Sequence, residues 1–485
     1  MAQLDNNKVI KATKWSAITE IVTKLVNPIT QMVLARLLAP EAFGVVATIV
    51  MIVTFAEIFT DAGFQKYLIQ HEFKDQQDRN QCTNVAFWAN LVMSLVIWYF
   101  IYLFNDSLAR LVGNPGLGYV IVIASISIPL EAFSSIQMAL YKRDFDFKTL
   151  FKARSIGVLI PLLVTIPLAL WLRNFWAIVI GTIVANIVNA VVLTIFSKWK
   201  PKLYFSFAQL KEMLSFSIWS MVEAVSIWLT GYVDVFIVGV ALNQYYLGLY
   251  KTSTSVVAQI TAVITAVTTP ILFSALSRLQ SNREEFEGLF FKFQKAVGLL
   301  IIPIGFAIYC FRDFITIVLL GKQWGEAALF IGLWGLTSSV TIVLSHYSSE
   351  VYRSLGKPKI SVLAQWLHIA VLWPVVLISI KYSFDTLCIT RSLVRLEGVL
   401  VHLVLMYIFI KLSPLKMVLN VWHSIFAAVI MSVTAHLLAL VGDSIIWTSI
   451  SIVVCGLVYV ASVSLFHDER LIIREFIERG MKREK

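Results

Sequence analysis

Glu20, Lys24, Asn27 and Gln31 recur at the i, i+4, i+7, i+11 spacing of one helical face, within an apolar run long enough to cross a lipid bilayer. Ser16 extends the row toward the N-terminus, and Arg36, Glu57 and Asp61 follow within the first pair of apolar stretches. A charge at the bilayer centre costs roughly 3 kcal/mol or more, so such groups are kept where they face a water-filled cavity, a partner charge or a substrate. Lysine and arginine in that setting can neutralise an anion, arginine through paired hydrogen bonds to phosphate oxygens. Buried carboxyls can exchange a proton or Na⁺. The placement points to a transport pathway, with internal pairing such as Glu20 with Lys24 as the structural alternative.

A second charged hairpin lies further along. Its first span carries Ser220, Glu223, Thr230 and Asp234 at helical spacing, and its second carries Lys251, Ser255 and Gln259. Trp15-Ser16 recurs as Trp219-Ser220, and Phe43-Gly44 as Leu247-Gly248, at a common offset of about 204 residues. An even number of spans separates the copies, which predicts parallel halves about an axis along the membrane normal and a polar cavity between the two charged hairpins. Glu20, Glu57, Asp61, Glu223 and Asp234 are the candidates for ion coupling. Asp61 stands at the cytoplasmic end of its span, where capping or pairing with a loop charge is the favoured reading, so Glu57 and Asp234 are the better coupling candidates. Arg36, Arg391 and Arg395 stand nearer span ends, where snorkelling to headgroups is the favoured reading. His368 and His402 fall inside spans and can either relay protons or hydrogen-bond a neighbouring helix.

The elements that must position these residues are membrane helices. Hydrophobic residues make up 58% of the chain and charged ones 14%, against roughly 25% charged in an ordinary soluble domain. Hydropathy predicts an all-α polytopic membrane protein of about fourteen spans, centred near Val26, Val50, Leu95, Ile126, Leu162, Ile183, Ile227, Ile260, Leu300, Leu336, Leu372, Leu403, Ile430 and Val454. This divides the chain into an N-terminal six-helix lobe over 1–197, a linker over 198–214, a second six-helix lobe over 215–411, two extra helices over 412–466, and a basic tail over 467–485. With the N-terminus inside, inner ends and loops hold about 30 of the 40 Lys and Arg and outer loops about 5, so the net charge of +11 reads as topology. Both termini are then cytoplasmic. The basic residues are dispersed over many loops, which excludes a folded nucleic-acid face, and Leu471 to Ile477 reads as an interfacial helix. No signal-peptide pattern opens the chain, so the first helix is expected to remain in the mature protein.

Other chemistries find little support. Cys82, Cys310, Cys388 and Cys455 are far apart and lack metal-ligand spacing, so they read as small apolar residues. No phosphate-cradling GxxxxGK[ST] loop is evident. A glycan polymerase or ligase would present a long outer loop with catalytic Arg or His, and the outer loops are short. The expectation is a transporter that is not an enzyme, with no cofactor beyond an H⁺ or Na⁺ for coupling.

Asp61-Ala62-Gly63-Phe64 with Leu68-Ile69-Gln70, Lys142-Arg143 with Phe145 and Phe147-Lys148, and Asp234 to Gly239 with Leu247-Gly248-Leu249-Tyr250 resemble the Wzx-type oligosaccharide flippases of the multidrug/oligosaccharidyl-lipid/polysaccharide exporter superfamily. Pro270 with Ser277-Arg278-Leu279, Gly321 to Trp324, and Gly356 fit the same pattern, so the resemblance covers nearly the whole chain. It implies two lobes working by alternating access across a bacterial inner membrane. The implied cargo is an undecaprenyl (polyprenyl) pyrophosphate-linked repeat unit for O-antigen, lipopolysaccharide or exopolysaccharide synthesis. Glycosyltransferases inside and a polysaccharide polymerase outside are the implied partners. For such a cargo Lys24 and Lys251, with Arg36, Arg391 and Arg395, would meet the pyrophosphate. Asn27, Gln31, Ser220 and Gln259 would meet sugar hydroxyls. Lys251 departs from the family pattern, which often has a small or uncharged residue after the tyrosine. An ion-coupled cation or drug exporter of the same superfamily and a peptidoglycan-precursor flippase remain the alternatives; the first would be expected to carry a net negative cavity.

Overall fold

The computed structural model describes residues 6–61, 63–472 and 474, with side chains except at 6–14, 16–18, 20, 21, 25, 216–220, 222 and 223. Among the described residues the chain is helical, with no strand. The long helices run in the order α1 (Asn6–Leu37), α2 (Pro40–Asp61), α3 (Gln76–Leu103), α4 (Gly118–Arg143), α5 (Phe147–Leu172), α6 (Trp176–Phe196) and α7 (Phe207–Ala241). There follow α8 (Gln244–Arg278), α9 (Arg283–Cys310), α10 (Lys322–Ser354), α11 (Lys359–Ser379), α12 (Phe384–Ile410), α13 (Trp422–Ala439) and α14 (Ile445–Val463). Thirteen are long and apolar enough to cross a membrane. The other is α1, whose 32 residues carry the polar row that lowers its hydropathy. Every predicted span centre falls in one of these fourteen, and the all-helical, about fourteen-span fold read from hydropathy is the fold observed.

The helix starts follow local chemistry. Asp75 accepts a hydrogen bond from the Asp78 backbone N–H at 2.7 Å, and Ser383 and Ser444 cap α12 and α14 through Thr386 and Trp447. In α5 and α12, π-helical turns at Pro161–Thr165 and Met406–Ile410 interrupt the α ladder, and both helices end on a left-handed residue, Arg173 and Lys411.

Two compact units divide the chain, Met1–Lys251 and Thr252–Lys485, so that the 198–214 stretch lies inside the first. In the first unit α1 packs on α5, with Trp15 and Phe151 ring centres 4.9 Å apart, α2 packs on α7, and α4 packs on both α3 and α6. In the second, α9 and α12 flank α10, α11 packs on α12, and the α13–α14 pair leans on α9, where the Tyr459 hydroxyl donates to the Leu299 carbonyl at 3.0 Å. Large apolar side chains such as Trp171, Ile195 and Leu457 are exposed, as helix faces turned to lipid tails are, since hydrocarbon exacts no penalty from them.

Gly44 of α2 and Gly248 of α8, aligned by the sequence repeat, lie against each other. A Cβ on Gly44 would stand 1.9 Å from the Gln244 carbonyl oxygen, and one on Gly248 would stand 1.9 Å from that of Pro40. Small residues allow this backbone approach, the usual device of membrane helix crossings. Gly44→Ala or Gly248→Ala is therefore expected to cost about 3 kcal/mol or more, because backbone has to move. Gly157→Ala and Gly288→Ala, whose Cβ atoms meet nothing within 4 Å, should leave stability near wild type. Thermal denaturation of the detergent-purified protein separates the two pairs.

Candidate functional site

On α1, Lys24 and Gln31 are half-buried, Asn27 is exposed, and Arg36 is exposed in the last turn. The hydroxyls of Thr19, Thr23 and Thr30 donate to carbonyls one turn back, so the helix meets their hydrogen-bonding needs itself. The side chains of Glu20, Ser220 and Glu223 lie outside the described residues, as does most of the 471–477 segment.

The α2 carboxyls belong to a cavity of about 340 Å³ within the first unit, bordered by Thr54, Glu57, Asp61, Lys66, Asn90 and Glu131. Glu57 neighbours Glu131 of α4, and both line this cavity. Asn186 of α6 donates to Glu131 Oε1 at 2.9 Å, fixing it from the far side. Asn90 of α3 is 1% exposed; its amide donates to Ser135 Oγ at 2.8 Å while its Oδ1 has no hydrogen-bond partner among the described residues. Asp61 Oδ1 accepts from the Gln65 backbone N–H at 3.4 Å, at the start of the short helix Phe64–Gln70.

Lys251 sits at the end of a contact chain that starts beside Glu57. The Thr54 hydroxyl accepts from Trp228 Nε1 at 3.1 Å, Phe55 packs on the Trp228 ring at 4.7 Å, and Trp228 stacks on Tyr232 at 5.4 Å. Lys251 Nζ then lies 4.6 Å above the Tyr232 ring, a cation–π contact. Its charged neighbour Asp234 is 5% exposed and accepts the Tyr250 hydroxyl at 2.6 Å. Four sequence-designated positions thus fall into two neighbouring groups, Glu57 with Asp61 and Asp234 with Lys251, joined by aromatic residues that hydropathy patterning passes over as core.

In the second unit, Arg391 and Arg395 of α12 both lie on the indole of Trp334 from α10, at 4.9 and 4.0 Å from the ring centre. Arg395 also donates to Ser338 Oγ at 2.5 Å. Arg391 is 7% exposed. The snorkelling favoured for this pair from its position near a span end is not what the fold does, because Trp334 supplies a π face inside the unit. His368 pairs with Glu397 at 2.8 Å, and the His402 ring stacks on Tyr352. Gln259 donates to Ser255 one turn back at 3.2 Å.

Glu131, Asn90, Trp334 and Glu397 were missed by sequence reading. A lone acid within an otherwise apolar span is the available signal for Glu131, and the neighbouring Arg391 and Arg395 are the signal for Glu397. Among the described residues no group of three His, Cys, Asp or Glu side chains forms a metal site.

A family described as polysaccharide biosynthesis protein matches residues 33–329, from the end of α1 into α10. The chain belongs to that family. Within the polysaccharide biosynthesis proteins it is similar to the succinoglycan biosynthesis transport protein ExoT of Rhizobium meliloti, 24% identical over 68% of this chain and 66% of ExoT. It is also similar to the lipopolysaccharide biosynthesis protein WzxC of Escherichia coli, 22% identical over 66% of this chain and 64% of WzxC. The match spans about two thirds of each relative's length. The fold is that of the lipid II flippase MurJ in an inward closed conformation, with a TM-score of 0.73 at 16% identity over 94% of this chain and 99% of MurJ. An inward-facing multidrug-resistance MATE transporter shares it at a TM-score of 0.61, 14% identity, and 81% and 96% coverage. This polysaccharide biosynthesis protein is a multi-pass membrane protein.

Proposed function

We propose that the protein is a flippase moving polyprenyl-pyrophosphate-linked oligosaccharide repeat units from the cytoplasmic to the periplasmic leaflet of a bacterial inner membrane. It works by ion-coupled alternating access with both termini in the cytoplasm, between six-helix lobes over 1–197 and 215–411. The observation that carries this is the coexistence of intramembrane cations, Lys24, Lys251, Arg391 and Arg395, with a separate acidic pair, Glu57 and Glu131, in a chain of the polysaccharide biosynthesis family. A pyrophosphate-linked glycan loses its water in hydrocarbon at several kcal/mol for each unsatisfied polar group, so the protein must supply a substitute shell. Cations suit the pyrophosphate. The amides of Asn27, Gln31 and Gln259 suit sugar hydroxyls, and the acidic pair suits a coupling proton. Glycosyltransferases that build the unit inside and a polymerase that consumes it outside are the partners such a cargo requires. The cation-exporter alternative is disfavoured because Lys24 and Lys251 offset the acids.

Depleting the protein from its host tests the cargo. With a periplasm-restricted glycan probe, lipid-linked oligosaccharide is expected to become inaccessible as it accumulates on the cytoplasmic face, and wild-type protein should restore access. Unchanged outward exposure would reject this cargo and bring the cation-exporter reading forward.

A further inference from the structure

A second cavity of the first unit, about 1670 Å³, opens at the inner ends of α3, α4 and α6, well above the roughly 300–1,000 Å³ of small-molecule sites. It lies apart from Glu57 and Lys251. One wall is the first two turns of α3, where Gln76, Gln77, Asn80, Gln81 and Asn84 follow the i, i+1, i+4, i+5, i+8 pattern of a single face turned to the cavity. Five carboxamides on one face supply donors and acceptors at fixed spacing without net charge. Only part of this capacity is used internally: Gln76 donates to Asn80 Oδ1 at 3.2 Å, and Asn84 Oδ1 accepts the Lys202 backbone N–H at 2.9 Å. The opposite wall is aromatic, with Tyr141 from α4 and Trp199 and Tyr204 from the segment after α6.

Of the five cations lining the cavity, Arg79, Arg143 and Lys200 are engaged within the protein, while Lys198 and Lys202 complete the lining. Arg79 pairs with Asp144 at 2.7 Å. Arg143 donates to the carbonyls of Leu68, Ile69 and His71 and lies over the Phe73 ring. Lys200 donates to the Thr194 carbonyl. Both arginines, the groups best suited to paired hydrogen bonds with an anion, are thus held by the protein. Planar amides facing aromatic rings fit a neutral polyhydroxylated chain, whose hydroxyls both donate and accept and whose C–H faces pack on rings.

We propose that this cavity is an oligosaccharide-binding site that receives the sugar portion of the cargo on the side of the membrane where Lys142, Lys148, Lys198 and Lys202 gather. The inference rests on the proposed function for the origin of the glycan, and its test needs neither the lipid nor transport.

The probe is the water-soluble oligosaccharide released by mild acid from the host's own polyprenyl-linked pool, titrated against the full-length protein in nanodiscs and read by saturation-transfer NMR and calorimetry. Wild type is expected to bind it, Gln77→Ala/Gln81→Ala to bind about tenfold more weakly, and Gln77→Glu/Gln81→Glu, which keeps side-chain length, to show the same loss with an unchanged melting temperature. Absence of binding to wild type, or binding by both double variants as tight as that of wild type, overturns the proposal. Binding of inorganic pyrophosphate that the same variants abolish also overturns it, in favour of an anion site. The leaflet assay reports independently on the flippase reading, so failure here leaves that reading standing and failure there does not explain a result here.

Discussion

Replacing Glu57 with Gln is expected to leave the protein folded while transport stops responding to an imposed ion gradient. Glu57 of α2 and Glu131 of α4 line one cavity, and a Gln amide matches the carboxyl in size and can donate to the remaining acid, so the local geometry survives. An amide has no proton to release, so the cycle loses its coupling step. Gradient-driven flipping should fall by about tenfold or more, equivalent to at least ~1.4 kcal/mol on the limiting step, whereas downhill movement without a gradient changes little. Glu131→Gln should behave alike, and the double variant should be no worse than either single one, because both substitutions act on the same acidic pair. The measurement is transfer of a fluorescent lipid-linked oligosaccharide in proteoliposomes after a pH or Na⁺ step, which also identifies the ion. Intact gradient dependence in Glu57→Gln would remove the pair from the coupling role.

Charge reversal at the intramembrane lysines is the second large effect. Lys251→Glu would place a carboxylate over the negative face of the Tyr232 ring and beside the buried Asp234, two unfavourable contacts with little water to screen them, at a cost of several kcal/mol. Transport should be abolished, and expression can fall with it. Lys251→Gln separates the two losses, since it keeps the volume and removes the charge: folding should hold while flipping drops about tenfold. Lys251→Arg should recover most activity, because a guanidinium also sits well on an aromatic face. Lys24→Glu is expected to abolish transport as well, by setting a negative charge where the pyrophosphate must pass. Initial rates at saturating and limiting cargo decide whether the loss lies in binding or in turnover, and wild-type rates in Lys24→Glu would remove the cationic path from the proposed function.

The individual sites show where sequence reading succeeds and stops. Gly44 and Gly248 hold matching positions in the faint sequence repeat, yet their direct backbone contact is visible only in the structure. Glu57 was legible as a charge in an apolar span, but its partner Glu131 is 74 positions away on another helix and nothing local marks the pair. Arg391 and Arg395 read as snorkelling residues because position along a span was the available information; Trp334, 57 and 61 positions earlier, supplies the face they rest on. Capping or a loop charge is the favoured sequence reading of Asp61, and its carboxylate accepts a backbone N–H of the next helix.

The sequence by itself determined that this is a helical membrane protein, where its spans lie and which of them carry charge. Transfer of a segment into lipid is close to a sum over its residues, and helical periodicity is a local property. The tertiary structure alone decided which charge meets which partner, which amides share the wall of the 1670 Å³ cavity with aromatic rings, and which glycines allow two backbones to touch. Those outcomes depend on contacts between helices distant in the chain, which packing geometry sets and span-by-span hydropathy does not contain.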